Sequence, residues 1–161
     1  MNREGGSGEF VSDLMQLLEI GRVITSTLDL EHLLTLVMDM TMGWFAAEVG
    51  YIHLTSGKVV NWGMKEEDLK QIKLSETGEN VLDYVLLQKE SLLIEDLQKA
   101  ERFEAPEEVY SRLRTLMIGL LEAKGTVLGV LVLANKIGWA NFLPSDFRLF
   151  RILLQHVSVA V

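Results

Sequence analysis

The chain has 161 residues, of which 48% are hydrophobic and 24% charged, with a formal net charge of −8 and no cysteine. A length of this order fits one domain that can bury a core without disulfides or metal. The acidic balance and the lack of a basic stripe argue against nucleic-acid or anionic-membrane partners, and the missing thiol excludes cysteine nucleophiles, thiol redox chemistry, Cys-rich zinc sites and any thiol-linked covalent cofactor.

In chain order, residues 1–8 carry no apolar core and do not form a signal peptide. Residues 1–11 read as a flexible leader or linker, and 12–161 as the folded domain. Ser12 or Asp13 can cap a first helix whose Leu14, Leu17, Leu18, Gly21 and Ile24 share one face. Thr25-Ser26-Thr27 breaks that pattern, and Asp29 can cap a second helix. Its apolar face holds Leu30, Leu33, Leu34, Val37, Met38 and Thr41, and it is expected to end near Gly43.

The period then changes to two. Val49, Tyr51 and His53 point to one side of a predicted strand, with Ile52 and Leu54 on the other. Thr55-Ser56-Gly57 turns the chain into a return strand over Lys58–Trp62. Short helical character is expected from Lys65 to Lys70, then a helix over Asn80–Gln88 and a short strand over Ser91–Ile94. Glu95–Arg114 reads as a long loop, of the kind that often serves function, with a small helix after Pro106. Thr115–Glu122 and Thr126–Asn135, joined by Ala123-Lys124-Gly125, form a hairpin. A loop over Lys136–Pro144 leads to a terminal helix opened by Ser145 or Asp146 and running to Val161. The tight hairpins predict an α+β domain with an antiparallel sheet. No apolar stretch approaches the ~20 residues needed to span a bilayer.

Several of these segments resemble GAF domains. Gly129-Val-Leu-Val-Leu-Ala-Asn135-Lys136 is similar to that family's final strand. Together with Phe142 and Asp146 it resembles the Asn-Lys…Phe…Asp-Glu signature of the cyclic-nucleotide-binding subfamily, departing at Phe147, where an acidic residue is expected. Asp96 followed by Arg102-Phe103 resembles the family's Asp…Arg-Phe loop, and Leu18–Leu30 and Asp146–Val161 resemble its opening and closing helices. The resemblance implies a sheet of about six antiparallel strands with helices on both faces. It also implies a ligand pocket on one face, roofed by the middle helix and the long loop, and terminal helices that dimerise on the other.

The resemblance makes Tyr51, His53, Trp62, Tyr84, Phe103 and Met117 candidate ligand-binding residues, since a pocket needs apolar walls with a few placed polar groups. Each also reads as plain core, or, for Trp62, as an edge residue. Asn135, Lys136, Phe142 and Asp146 read as a structural brace, with Lys136 paired to Asp146, or as support for a nucleotide pocket. His32, His53 and His156 lack metal-ligand spacing, and no metal site is expected. Haem ligation by His53, known in some GAF domains, has a structural histidine as its simpler alternative. Glu66-Glu67-Asp68 reads as a solvated acidic run, and Glu107 and Glu108 as first-turn helix residues. GAF-type methionine sulfoxide reductases depend on cysteines, which this chain lacks, and no catalytic triad or phosphate loop is present. The chain is therefore expected not to be an enzyme.

On the terminal helix, Phe147, Phe150, Leu154, Val157 and Val161 form a heptad seam beside a second stripe of Leu149, Leu153, His156 and Ala160. Two stripes can serve two partners, the sheet and another subunit, or one broad core contact. The pattern reaches Val161 without a C-cap, as expected of a domain cut from a longer protein. The expected function is a cytoplasmic regulatory sensor that binds an unidentified small molecule, forms a homodimer and controls a covalently attached output domain. The alternative is an interaction module with a filled pocket.

Overall fold

The computed structural model of the chain describes residues 12–16 and 30–161. Residues 12–16 are helical, and Leu14 is buried in the core. The expected leader, the rest of the first helix (17–24), the break at 25–27 and the cap at Asp29 lie outside the described residues.

Helix α1 (Leu30–Phe45) buries Leu33, Leu34, Val37, Met38 and Thr41, the face that its periodicity predicts, and runs two residues past Gly43. It stops where Ala46 takes a left-handed φ of 53°. Strand β1 (Ala47–Leu54) follows and pairs with β2 (Val59–Trp62) across the Gly57 turn. Helix α2 (Glu66–Lys70) leads to a two-residue strand, β3 (Lys73–Leu74). Helix α3 (Val81–Gln88) is capped by Asn80, whose side chain accepts the Asp83 N–H. Beyond β4 (Leu92–Ile94) come β5 (Phe103–Glu104) and α4 (Glu107–Arg112), and then β6 (Leu116–Ala123), β7 (Thr126–Lys136) and α5 (Pro144–Ala160).

Five strands form an antiparallel sheet in the order β2-β1-β7-β6-β4, and β3 pairs with β5 as a separate two-stranded ribbon. The expected architecture of about six strands is thus divided into five and two. The ribbon strands are too short to show a period of two, so no alternation announces them.

Strand alternation sorts the core into two layers. Ile52, Met117, Leu121, Leu131 and Leu133 point toward α1 and α5 and join Phe45, Phe150 and Leu154. Tyr51, Ile118, Val130, Val132 and Ala134 point the other way and meet α2, α3, α4 and the ribbon. On the first side α5 comes close at Gly119, where an added Cβ would lie 2.6 Å from Leu154 Cδ1 and 2.9 Å from Phe150 Cε1.

Helix α5 begins earlier than expected. Leu143 is its N-cap, Pro144 occupies the first turn, and Asp146 sits at N3, accepting the Leu143 N–H at 2.9 Å. Proline fits there because the first-turn N–H has no helical acceptor. Both predicted stripes of α5 serve the chain's own core: Phe150, Leu153, Leu154 and Val157 are buried in one cluster, with Phe147, Leu149, Ala160 and Val161 packed against it.

Candidate ligand-binding cleft

A cleft of about 270 Å³ opens between α2, α3 and the sheet. Its floor comes from Leu82 and Leu86 of α3 and Val130 of β7, and its polar rim from His53, Glu66, Lys70 and Asp83. His53 reaches the rim because it follows Tyr51 by two residues on β1, on the same face. Tyr51 Oη lies 3.0 Å from His53 Nδ1, with the rings edge-to-face at 6.1 Å. Glu66 Oε1 is 3.9 Å from the same nitrogen and 3.2 Å from Lys70 Nζ.

Tyr51 is 1% exposed. Burial, with Glu66 and Glu67 nearby, pushes its phenol up to about 12. It therefore stays protonated at neutral pH and can donate to His53 Nδ1, which favours the tautomer carrying its proton on Nε2. The rim so combines cationic, anionic and hydrogen-bonding groups above an apolar base, the composition of a small-molecule site.

The six candidate residues are not brought together. Tyr51 and His53 share the hydrogen bond just described, His53 on the cleft rim and Tyr51 beneath it. Tyr84 and Phe103 lie in the same layer but are joined elsewhere: Arg102 donates to Tyr84 Oη at 2.7 Å and stacks over both rings at 5.2 and 5.6 Å. Met117 sits in the opposite layer, toward α1 and α5, because odd-numbered positions of β6 face that side. Trp62 is 47% exposed on the edge strand β2.

Lys70 and Asp83 carry no signal of a cleft in the sequence, and Glu66 reads there only as part of a solvated acidic run, since exposed charges on short helices do not announce a site. The acidic run reads differently once folded. Glu66 borders the cleft, and Asp68, expected to be solvated, is 7% exposed and accepts from Arg112 of α4 at 2.6 Å. Among the described residues no group of three His, Cys, Asp or Glu is placed to hold a metal ion.

The Asn-Lys…Phe…Asp residues lie at the root of α5, away from this cleft. Lys136 Nζ is 3.2 Å from Asp146 Oδ2. Asn135, at a left-handed φ of 60°, accepts the Arg114 N–H at 2.8 Å and donates to the Arg112 carbonyl at 2.6 Å. Phe142 is fully buried, and its N–H donates to Thr115 Oγ1. Arg114 ties the loop down through Asn141, Lys136 and Ala140. Asp96 of the Asp…Arg-Phe loop caps its own turn, accepting from Gln98 N–H.

The sequence model of the GAF domain matches residues 27–161. No curated protein matches the chain. Among solved structures, the GAF domain of an Acinetobacter phosphoenolpyruvate-protein phosphotransferase is 17% identical with a TM-score of 0.65, covering 99% of this chain and 93% of its own. The A. aeolicus nlh2 GAF domain in an inactive state is 12% identical with the same TM-score, covering 99% and 97%. Free methionine-R-sulfoxide reductase from Neisseria meningitidis, solved with its substrate, is 12% identical with a TM-score of 0.64, covering 99% and 90%.

Proposed function

The chain belongs to the GAF domain family, and from that premise we propose that it is a regulatory small-molecule sensor whose ligand seats in the cleft between α2, α3 and the sheet. GAF domains are commonly regulatory sensory domains of signalling proteins. The observation that carries the reading is the cleft's composition: apolar Leu82, Leu86 and Val130 below a rim of His53, Glu66, Lys70 and Asp83. A ligand bridging the rim would bind α2 and α3 to the sheet and bias their packing, which is the differential contact that regulation requires. In this reading the chain is a cytoplasmic binding module rather than an enzyme. It forms a homodimer through its helical layer and passes the ligand state to an attached output domain.

A thermal-shift screen against cyclic nucleotides, amino acids, 2-oxoacids and haem tests this. A ligand at ~100 times its Kd stabilises by about 2.7 kcal/mol, a shift of a few degrees at this size. Leu86→Trp, which fills the cleft, should abolish the shift while leaving the fold intact. A shift that persists in Leu86→Trp would refute the assignment to this cleft.

One observation favours a second reading. Tyr51, Val81, Val85 and Phe103 are packed together and no more than 7% exposed, so side chains fill the interior of this layer. A folded, ligand-free protein that responds to no class of compound would be an interaction module whose pocket is closed by its own core.

A further inference from the structure

A larger cleft, about 420 Å³, lies at the edge of the sheet, between the outer side of β6, the end of α3 and α5. It exists because β4 is short. β4 pairs only with Leu116–Ile118, so the outer side of β6 beyond Ile118 has no strand beside it, β7 lying on the other side. The exposed edge is finished by two hydroxyls: Ser91 accepts the Leu120 N–H at 2.9 Å, and Ser158 of α5 accepts the Glu122 N–H at 3.1 Å. An edge closed by side chains leaves a polar-walled groove where a longer β4 would run.

Three cations converge on this groove from three elements. Lys89 ends α3 in a left-handed conformation at φ 53°, and its Nζ reaches the Gly125 carbonyl at 3.4 Å. Lys124 projects from the β6–β7 turn, where it and Gly125 both hold positive φ, 53° and 78°. That pair of angles belongs to a tight hairpin turn whose geometry leaves little backbone freedom. Arg151 lies on α5 with its guanidinium 5.9 Å from the Phe147 ring. None of the three has an acidic partner within 4.0 Å among the described residues. Glu90 and Glu122 also border the cleft, so three cations stand against two carboxylates in a chain whose total charge is −8.

We propose that this groove is a second binding site, separate from the α2/α3 cleft and independent of the sensor reading, for a small organic anion of metabolite size bearing two or more acidic groups. Lys124 and Arg151 would bracket the acidic groups, Arg151 through its fork of donors. Lys89 would contribute a third contact, and the rest of the ligand would rest on Leu120 and Leu154. The volume suits a metabolite rather than a macromolecule, and the backbones presenting the cations are already set, which lowers the ordering cost of binding.

The test is an amide NMR titration of the 161-residue chain with inorganic pyrophosphate and, separately, with citrate. Saturable shifts are expected at Ser91, Glu122, Lys124 and Ser158, weakening as NaCl is raised. Lys124→Ala combined with Arg151→Ala should weaken binding by at least about tenfold, and Glu122→Gln should tighten it by removing a competing charge. Binding of pyrophosphate alone would assign a phosphorylated ligand, and of citrate alone a polycarboxylate. No saturable shift with either probe, binding unchanged in the double variant, or shifts confined to His53 and Glu66 would overturn the proposal.

Discussion

Burial holds the Tyr51 phenol near 12 where an unfolded tyrosine titrates at 10.0, so the folded state keeps this proton more tightly than the unfolded chain does. Its contribution to stability is whole below about pH 10 and is lost as pH rises toward 12; the two-unit gap corresponds to about 3 kcal/mol. Ultraviolet titration of the three tyrosines should show a phenol step well above pH 10, and Tyr51→Phe should remove that step. If all three ionise near 10, burial is not protecting the group. Gly129 is governed by sterics instead. Its φ is 154°, and an added Cβ would run into the backbone carbonyl oxygen of His53. That obstacle is main chain in a central strand pair and cannot rotate away, so Gly129→Ala should cost about 2–4 kcal/mol in urea unfolding. A loss below about 1 kcal/mol would mean that β1 and β7 shift easily.

At the scale of elements, the root of α5 separates two contributions of one carboxylate. Asp146 accepts from the Leu143 N–H and from Lys136 Nζ. The first bond caps the helix and the second is an ion pair with both side chains about a quarter exposed. Caps contribute about 1 kcal/mol or more, and such pairs about 0–1 kcal/mol. Asp146→Ala should therefore destabilise by about 1–2 kcal/mol, and Lys136→Ala by less than about 1 kcal/mol. Equal losses would show that the ion pair, not the cap, anchors the helix. The Asn-Lys and Asp residues are recognisable in the sequence as a pair able to meet. The hydrogen bonds of Asn135 to Arg112 and Arg114 are not recognisable there, because they need the strand and the long loop to have been placed first.

For the whole molecule, the homodimer of the proposed function would use the layer of α1 and α5. Leu36, Ile152 and Val159 remain 39%, 43% and 64% exposed on these helices after the core is complete. Sedimentation velocity of the intact chain should show a dimer at micromolar concentration, and Ile152→Glu with Val159→Glu should shift it toward monomer. A monomer at all concentrations would remove dimerisation from the proposed function. Both stripes of α5 turn inward. Its heptad pattern alone did not reveal this, because a helix lying across a sheet buries a face as broad as two coiled-coil seams.

Apart from the β3–β5 ribbon, the sequence by itself determined the element order from α1 to α5, together with the antiparallel hairpins and the two-faced alternation of β1. These follow from local periodicity and turn chemistry, which act over a few residues. The tertiary structure alone decided which layer each strand face meets, and so placed Met117 away from Tyr51 and His53. It also brought Glu66, Lys70 and Asp83 to one cleft, buried Asp68 against Arg112, and gathered Lys89, Lys124 and Arg151 at the edge of β6. Alternation states that neighbouring residues face opposite ways, not which helices wait on either side; that is settled only when the sheet is assembled and its layers close.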